Sequence, residues 1–172
     1  DPEQVTLRMR AGTHNPVPQT GHKGDGRIPR EREHLERVVG GFNGGFQTEH
    51  VWYGMMVDKQ VLLRPREYGA TAGTWADGRT AFGTWEPHAP IPEDLLAYRQ
   101  NLPPLIEDGV YNPYRRGTWG WHRKVAGAVG GKTIRSALCY TNDGYVMYFY
   151  SEFSDEHGLA NTLFHCECRY AV

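Results

Sequence analysis

The residue types best suited to binding or chemistry are concentrated in one glycine-rich segment, residues 38–46, and in the polar residues directly behind it. The segment opens with two valines, and the pattern predicts a buried strand that breaks into a turn at Asn43. Asn and Gly favour such a turn because they tolerate positive φ and let a ligand approach the backbone. The exposed amides can bind an anion, although an ordinary hairpin turn is the structural alternative. Five residues are candidates for a site: Asn43, Gly44, Gly45, Glu49 and His50.

Three more candidates lie at predicted turns and loops further along the chain. Asp108 stands in an exposed tip after a strand end, and Arg135 lies shortly before a predicted hairpin turn. Arg115 lies in the segment 111–121, whose aromatic residues and arginines suit stacking on a sugar and pairing with phosphate. An aromatic core with solvated arginines is the alternative there. Since a rigid sheet presents side chains at strand ends and turns, we expect four positions to converge on one cleft: Asn43, Glu49 or His50, Asp108 and Arg135.

Composition and charge restrict the classes of protein to which the chain can belong. With 172 residues, 39% apolar and 12% aromatic, it is predicted to form one globular domain over residues 1–172. Its 21 glycines and 11 prolines favour strands and turns, so we predict a β-rich α+β fold. A formal net charge of -1 without a basic run gives no general attraction to nucleic acid. No apolar run approaches the roughly 20 residues that span a bilayer, so no membrane span is predicted.

The candidate residues must be positioned by an antiparallel or mixed sheet built from hairpins. Apolar alternation predicts a first strand at residues 5–9, before a long surface loop. Three hairpins are predicted, with turns at 58–59, 77–78 and 142–144. The second strand of the third hairpin, residues 145–150, is apolar or aromatic on both faces, which predicts a central strand.

Two to three short helices are predicted to pack on this sheet. One helix is expected at residues 30–39 and another at 93–100, each opened by a proline. A third is expected after an N-cap at Ser154, with Leu159, Leu163 and Phe164 facing inward. The three cysteines, Cys139, Cys166 and Cys168, lack a metal-type or redox spacing and allow at most one disulfide, and we predict that Cys166 and Cys168 are buried small hydrophobic residues.

The order of these motifs resembles the phosphodiester glycosidase family over residues 38–172. The matching pieces are Gly41-Phe42-Asn43-Gly44-Gly45-Phe46, Tyr53-Gly54-Met55-Met56-Val57, Leu105-Ile106-Glu107-Asp108-Gly109, Ile134-Arg135-Ser136-Ala137-Leu138 with Asn142-Asp143-Gly144, and residues 154–168. The resemblance implies a hydrolase that cleaves a sugar from a phosphodiester of a glycan or cell-wall polymer, without a metal or other cofactor. The family pattern continues past the last strand into an Asp- and Gly-rich part of the active centre, so we expect a domain that lacks its C-terminal segment.

The implied reaction assigns roles to the candidate residues. Loss of a sugar passes through an oxocarbenium-like state, which a carboxylate pair usually flanks. Because phosphate is a good leaving group, cations and amide donors matter more than a strong general acid. The expected phosphate and substrate ligands are Asn43, Gly44, Gly45, Arg135 and Arg115. The expected catalytic residues are Glu49 and Asp108, with His50 as an alternative proton carrier.

Two other functions stay open, and whether the chain is an enzyme is not decided by its sequence. A non-catalytic module that binds a glycan or a protein could display the same loops. A metal-dependent phosphodiesterase is a third alternative, although the eight histidines show no HxH or HExxH pattern.

The two ends of the chain carry the remaining expectations. The apolar strand at residues 169–172 is predicted to insert beside residues 145–150, so a second chain or subunit is expected to complete the sheet after Val172. The chain begins at Asp1 without a methionine, which a removed leader, a processed fragment or an artificial boundary would explain. An extracellular, periplasmic or other processed compartment is therefore favoured.

Overall fold

The computed structural model describes residues 1, 4–22, 24, 26–45, 47–49, 51–114 and 132–172. Within these ranges the chain forms two antiparallel five-stranded sheets and two α-helices, so the β-rich α+β class is confirmed at that level. Only one of the two helices packs on a sheet, because the first has no buried residues. No helix in the described part of the chain is long and apolar enough to cross a bilayer.

The first sheet, sheet A, contains five strands in the order β2-β1-β5-β3-β4. Its strands are β1 Met55–Val57, β2 Gln60–Leu63, β3 Ala70–Trp75, β4 Thr80–Thr84 and β5 Leu95–Asn101. The first two predicted hairpins are confirmed as β1–β2 and β3–β4. Asp58 and Lys59 adopt positive φ of 48° and 62°, which the tight turn between twisted strands requires.

The helix predicted at residues 93–100 is wrong, because this segment is the central strand β5, paired with β1 and β3. A helix of eight residues gains little from propensity alone, whereas pairing on both sides satisfies the whole backbone ladder. Tyr98 is fully buried and donates to the Leu63 carbonyl at 2.8 Å. Gln100 is also buried, and its side chain bonds Gly54, Arg66 and Thr71.

Three predictions for the N-terminal quarter are wrong. Residues 5–9 form no strand, and the predicted helix at 30–39 is reduced to α1 Arg32–Leu35. Val38 and Val39 are exposed and lie outside any strand. Instead the N-terminal segment covers one face of sheet A, where Thr74 donates to the Leu7 carbonyl and Ala11 packs into a cluster with Met55. Contacts between this irregular segment and sheet A therefore take the place of the strand pairing that the apolar alternation of residues 5–9 predicted.

The second sheet, sheet B, has the order β7-β6-β10-β8-β9. Its elements are β6 Ile106–Glu107, β7 Val110–Tyr111, β8 Thr133–Thr141, β9 Val146–Ser154, α2 Glu156–His165 and β10 Cys168–Ala171. The third predicted hairpin is confirmed as β8–β9. The prediction of β9 as a central strand is wrong, because β9 lies at the edge and Tyr145, Tyr148 and Tyr150 are exposed.

The terminal strand β10 lies between β6 and β8 and is paired with both. Its predicted position beside residues 145–150 is therefore wrong, and so is the open place next to it that motivated a second chain after Val172. Helix α2 returns the chain across β8, so β10 reaches the far side of β8 from β9. A second chain stays a prediction without that reason.

One face of sheet B is closed by α2. Leu159 and Leu163 pack on Ala137 and Cys139, and this cluster extends to Ile106 and other residues. The N-cap is Asp155, whose carboxylate accepts from the Gly158 amide at 2.7 Å, and the predicted cap Ser154 is the last residue of β9. Phe164, predicted to face inward, is 43% exposed.

A disulfide joins two strands within this closed core. Cys139 on β8 and Cys168 on β10 are bonded and buried. Cys166 is free and exposed, so the prediction that Cys166 and Cys168 are buried small hydrophobic residues is wrong for Cys166.

Candidate functional site

The glycine-rich segment lies between the two sheets and contacts both. From sheet A, Arg99 donates through Nε to the Gly44 carbonyl at 2.8 Å. From sheet B, Tyr148 stacks on Phe42 with 4.8 Å between ring centroids and 23° between ring planes. The segment that sequence singled out is therefore held at a junction, although it forms no strand.

Arg99 anchors this segment to the start of β1. Its Nη1 group donates to the carbonyls of Tyr53 and Gly54 at 3.1 and 3.3 Å, while Nε holds Gly44. Burial lowers the pKa of the Arg99 guanidinium to about 10, so the group stays charged at neutral pH. Three carbonyls from two chain segments converge on this side chain, and the planar guanidinium of arginine has enough N–H donors to bind them all.

Gly45 has a backbone conformation that this arrangement requires. Its φ is +122°, and a Cβ built there would lie 3.1 Å from Nη2 of Arg99. Glycine therefore permits both the turn and the close approach of the guanidinium. Sequence reasoning predicted the turn and missed Arg99, which lies in the segment it assigned to a helix.

The face of sheet B that carries Tyr148 is aromatic and is open toward β9, whereas Tyr140 and Tyr170 on the same face pack on Phe82 of sheet A. In the β8–β9 ladder, Ser136 pairs with Tyr150 and Leu138 with Tyr148, so these four side chains share one face. Tyr150 is 56% exposed, Tyr148 is 42% exposed and Phe42 is 41% exposed. We call Phe42, Ser136, Leu138, Tyr148 and Tyr150 the aromatic face.

Arg135 lies on the other face of sheet B. It pairs with Ser151, one step out of phase with the Leu138–Tyr148 pair, and so it points toward α2. There Nη2 binds Oε2 of Glu156 at 3.0 Å and Nε donates to the Ser154 carbonyl at 3.0 Å. Phe42, the residue before Asn43, stacks on Tyr148 on the opposite face, so the expected convergence of Arg135 with Asn43 is wrong.

Asp108 is also remote from the glycine-rich segment. It lies in the turn between β6 and β7 and faces Arg169 at 3.4 Å, with both side chains largely exposed. Strand β6 is three places from β9 in the sheet, which corresponds to about 14 Å at the usual strand spacing. Asp108 therefore does not join Tyr148 and its neighbours in one cleft.

The remaining candidates contribute little to the described geometry. Glu49 is exposed beside the buried Thr48, whose hydroxyl accepts from the Val17 amide and whose amide donates to the Asn15 side chain. This position fastens the N-terminal loop. His50 and Arg115 lie outside the described residues, and so does most of the predicted aromatic segment 111–121.

A cluster of titratable side chains lies where the two sheets meet, and the sequence analysis did not predict it. The Tyr114 hydroxyl donates to Glu107 at 2.9 Å, and Thr84 lies 3.2 Å from the Tyr170 hydroxyl. Burial raises the pKa of Tyr114, with the Glu107 hydrogen bond acting in the same direction and Thr84 against it. Burial likewise raises the pKa of Tyr170. Neutral phenols are poor nucleophiles, so this cluster is suited to joining the sheets and not to covalent catalysis.

The described residues contain no group of three or more His, Cys, Asp or Glu placed to hold a metal ion. No family model matches the chain, and no curated protein matches it. The phosphodiester glycosidase resemblance is therefore a proposal carried by the sequence motifs.

Proposed function

We propose that this chain is a glycan-binding module that recognises a neutral sugar on the aromatic face. The main support is the exposed stack of Phe42 on Tyr148, with Tyr150 beside it on the same face. The C–H face of a pyranose ring is flat and apolar, so it packs on such side chains, while its hydroxyls need polar groups at the rim. Exposed Ser136 and Asn43 are candidates for those contacts.

The absence of positive charge on this surface favours a neutral ligand. From Ser136 to Tyr140 and their β9 partners, the aromatic face carries no Lys, Arg, Asp or Glu, and the next charged residue along β9, Glu152, is an anion. A phosphate or a nucleic-acid backbone is normally held by cations. Arg99 contacts backbone carbonyls below the segment, and Arg135 lies behind the sheet with Glu156. A neutral sugar thus fits better than the expected phosphodiester.

Affinity electrophoresis in gels that contain soluble polysaccharides tests this proposal. The wild-type chain should be retarded by at least one neutral glycan, and Phe42→Ala and Tyr148→Ala should each lose most of that retardation. Tyr145→Ala is the matched control, because Tyr145 is exposed but lies in the hairpin turn outside the aromatic face. Retardation of Phe42→Ala equal to that of the wild type would refute the proposal, as would a wild type that migrates freely with every neutral glycan.

Hydrolysis of a sugar phosphodiester is a second candidate, supported by the resemblance and by the Gly44–Gly45 turn that Arg99 holds. The separation of Asp108 and Arg135 from that turn counts against it. Turnover of an aryl sugar-phosphodiester that falls in Asn43→Ala would support hydrolysis. Release at the buffer rate in both proteins would leave only the binding function.

A further inference from the structure

Strand β9 is a long edge without the usual protection. In the described part of the chain its only ladder partner is β8. It runs for nine residues, and its only charged side chain is Glu152, with no proline or lysine. Natural edge strands are commonly short or blocked by such residues, because an open edge offers unpaired amides and carbonyls to another strand. The edge of β9 is therefore open to pairing with a strand of another chain.

The hydrogen bonds of β8 show which groups of β9 point outward. The amide and the carbonyl of Leu138 both bond Val172, at 2.8 and 2.9 Å. Leu138 therefore cannot bond its partner Tyr148, and theirs is a non-hydrogen-bonded pair. The amide and the carbonyl of Tyr148 must then point away from β8. By alternation, the same holds for Val146 and Tyr150.

We propose that two copies of this chain pair through β9, antiparallel about a two-fold axis at Phe149. This register pairs Tyr148 with Tyr150 of the second copy, so that outward groups meet outward groups. It also places Glu152 opposite Val146 of the second copy, so no like charges face each other. A symmetric contact of this kind closes on itself and forms a dimer.

A second copy is the occupant that the strand itself favours. The exposed rings of Tyr148 and Tyr150 are brought side by side across the axis, and aromatic pairs across strands are stabilising. Sheet B of one copy and sheet B of the other become one continuous sheet, and the two aromatic faces lie next to each other on the same side of it. A contact one strand wide buries less than the roughly 1,200 Å² of standard interfaces. We therefore expect weak association, with Kd on the order of 100 μM.

Sedimentation equilibrium over a wide concentration range tests the pairing. The wild type should change from monomer to dimer as its concentration rises. Tyr150→Pro removes an outward amide without touching the β8 ladder, so this variant should stay monomeric. Tyr150→Ala is the matched control, since it loses the same ring and keeps the amide, so it should dimerise more weakly than the wild type and clearly more strongly than Tyr150→Pro.

Tyr150→Lys provides a second variant that keeps the fold, because the position is exposed, and blocks the edge with charge. It is also expected to be monomeric. A wild type that stays monomeric at its highest concentration would overturn the pairing, as would a Tyr150→Pro or Tyr150→Lys protein that dimerises like Tyr150→Ala. The inference does not depend on glycan binding: Tyr150→Pro and Tyr150→Ala lack the same ring, so they should lose glycan affinity equally while they differ in dimerisation.

Discussion

The two faces of sheet B are built from alternate residues of the same strands, yet they serve different purposes. On one face Ala137 and Cys139 lie beneath Leu163 of α2 in a closed core. On the other face Tyr148 and Tyr150 stay exposed although both are aromatic. Apolar character on both faces of a strand therefore does not establish burial on both faces. Where one face is covered, the aromatic residues of the other are free for ligands.

The largest difference between the faces should appear in stability. Leu163→Ala removes a fully buried side chain from the closed face, and we expect it to lower the free energy of unfolding by about 3–5 kcal/mol. Tyr148→Ala, on the open face, should cost about 1 kcal/mol. Urea unfolding of both variants measures the contrast. Equal losses would mean that the aromatic face is part of the core.

The disulfide is the second feature that stabilises the closed face of sheet B. Cys139 and Cys168 are 29 residues apart, and opening a loop of this size should cost about 3–4 kcal/mol in the chain-entropy description. The double variant Cys139→Ala/Cys168→Ala should therefore unfold at a clearly lower urea concentration. Cys166→Ser is the control and should unfold like the wild type, because this cysteine is free and exposed. If the control were equally destabilised, the assignment of the bonded pair would be wrong.

Local signals predicted much of the fold. The turns at Asp58-Lys59 and Asp77-Gly78 gave correct hairpins because the positive φ that they need is encoded in the turn itself. The inward stripe of α2 was found at Leu159 and Leu163. β5 was missed because its strand character comes from β1 and β3 on either side, which a single window does not contain.

The candidate site was predicted less well for the same reason. The glycine-rich segment was found from its own composition, but its anchor Arg99 lies on β5, 55 residues after Gly44. Arg135 was selected by type and by proximity to a turn, and neither reveals which face of the sheet it occupies. A shift of one residue in strand register moves a side chain to the other face, and this register is fixed by the pairing of β8 with β9.

A smaller effect should distinguish binding from stability on the open side. Gly45→Ala forces a side chain into φ of +122° and places Cβ 3.1 Å from Arg99 Nη2, so we expect a cost of about 1–3 kcal/mol locally. The displaced segment should carry Phe42 away from Tyr148 and weaken glycan retardation. Gly41→Ala is the matched control, because a Cβ there meets nothing within 4 Å. Full glycan binding by Gly45→Ala would show that the turn does not position Phe42.

The smallest effect concerns two of the ion pairs, Arg135–Glu156 and Arg169–Asp108, and it separates a structural arginine from a catalytic one. Arg135 and Glu156 are 20% and 25% exposed, whereas Arg169 and Asp108 are 60% and 78% exposed. Water screens the second pair more, so double-mutant cycles should give a coupling energy of about 1 kcal/mol for the first and under about 0.5 kcal/mol for the second. Because Arg135 lies behind the sheet, Arg135→Ala should leave glycan retardation unchanged. Loss of binding in Arg135→Ala, in a protein still folded by urea unfolding, would instead bring this residue back into the site.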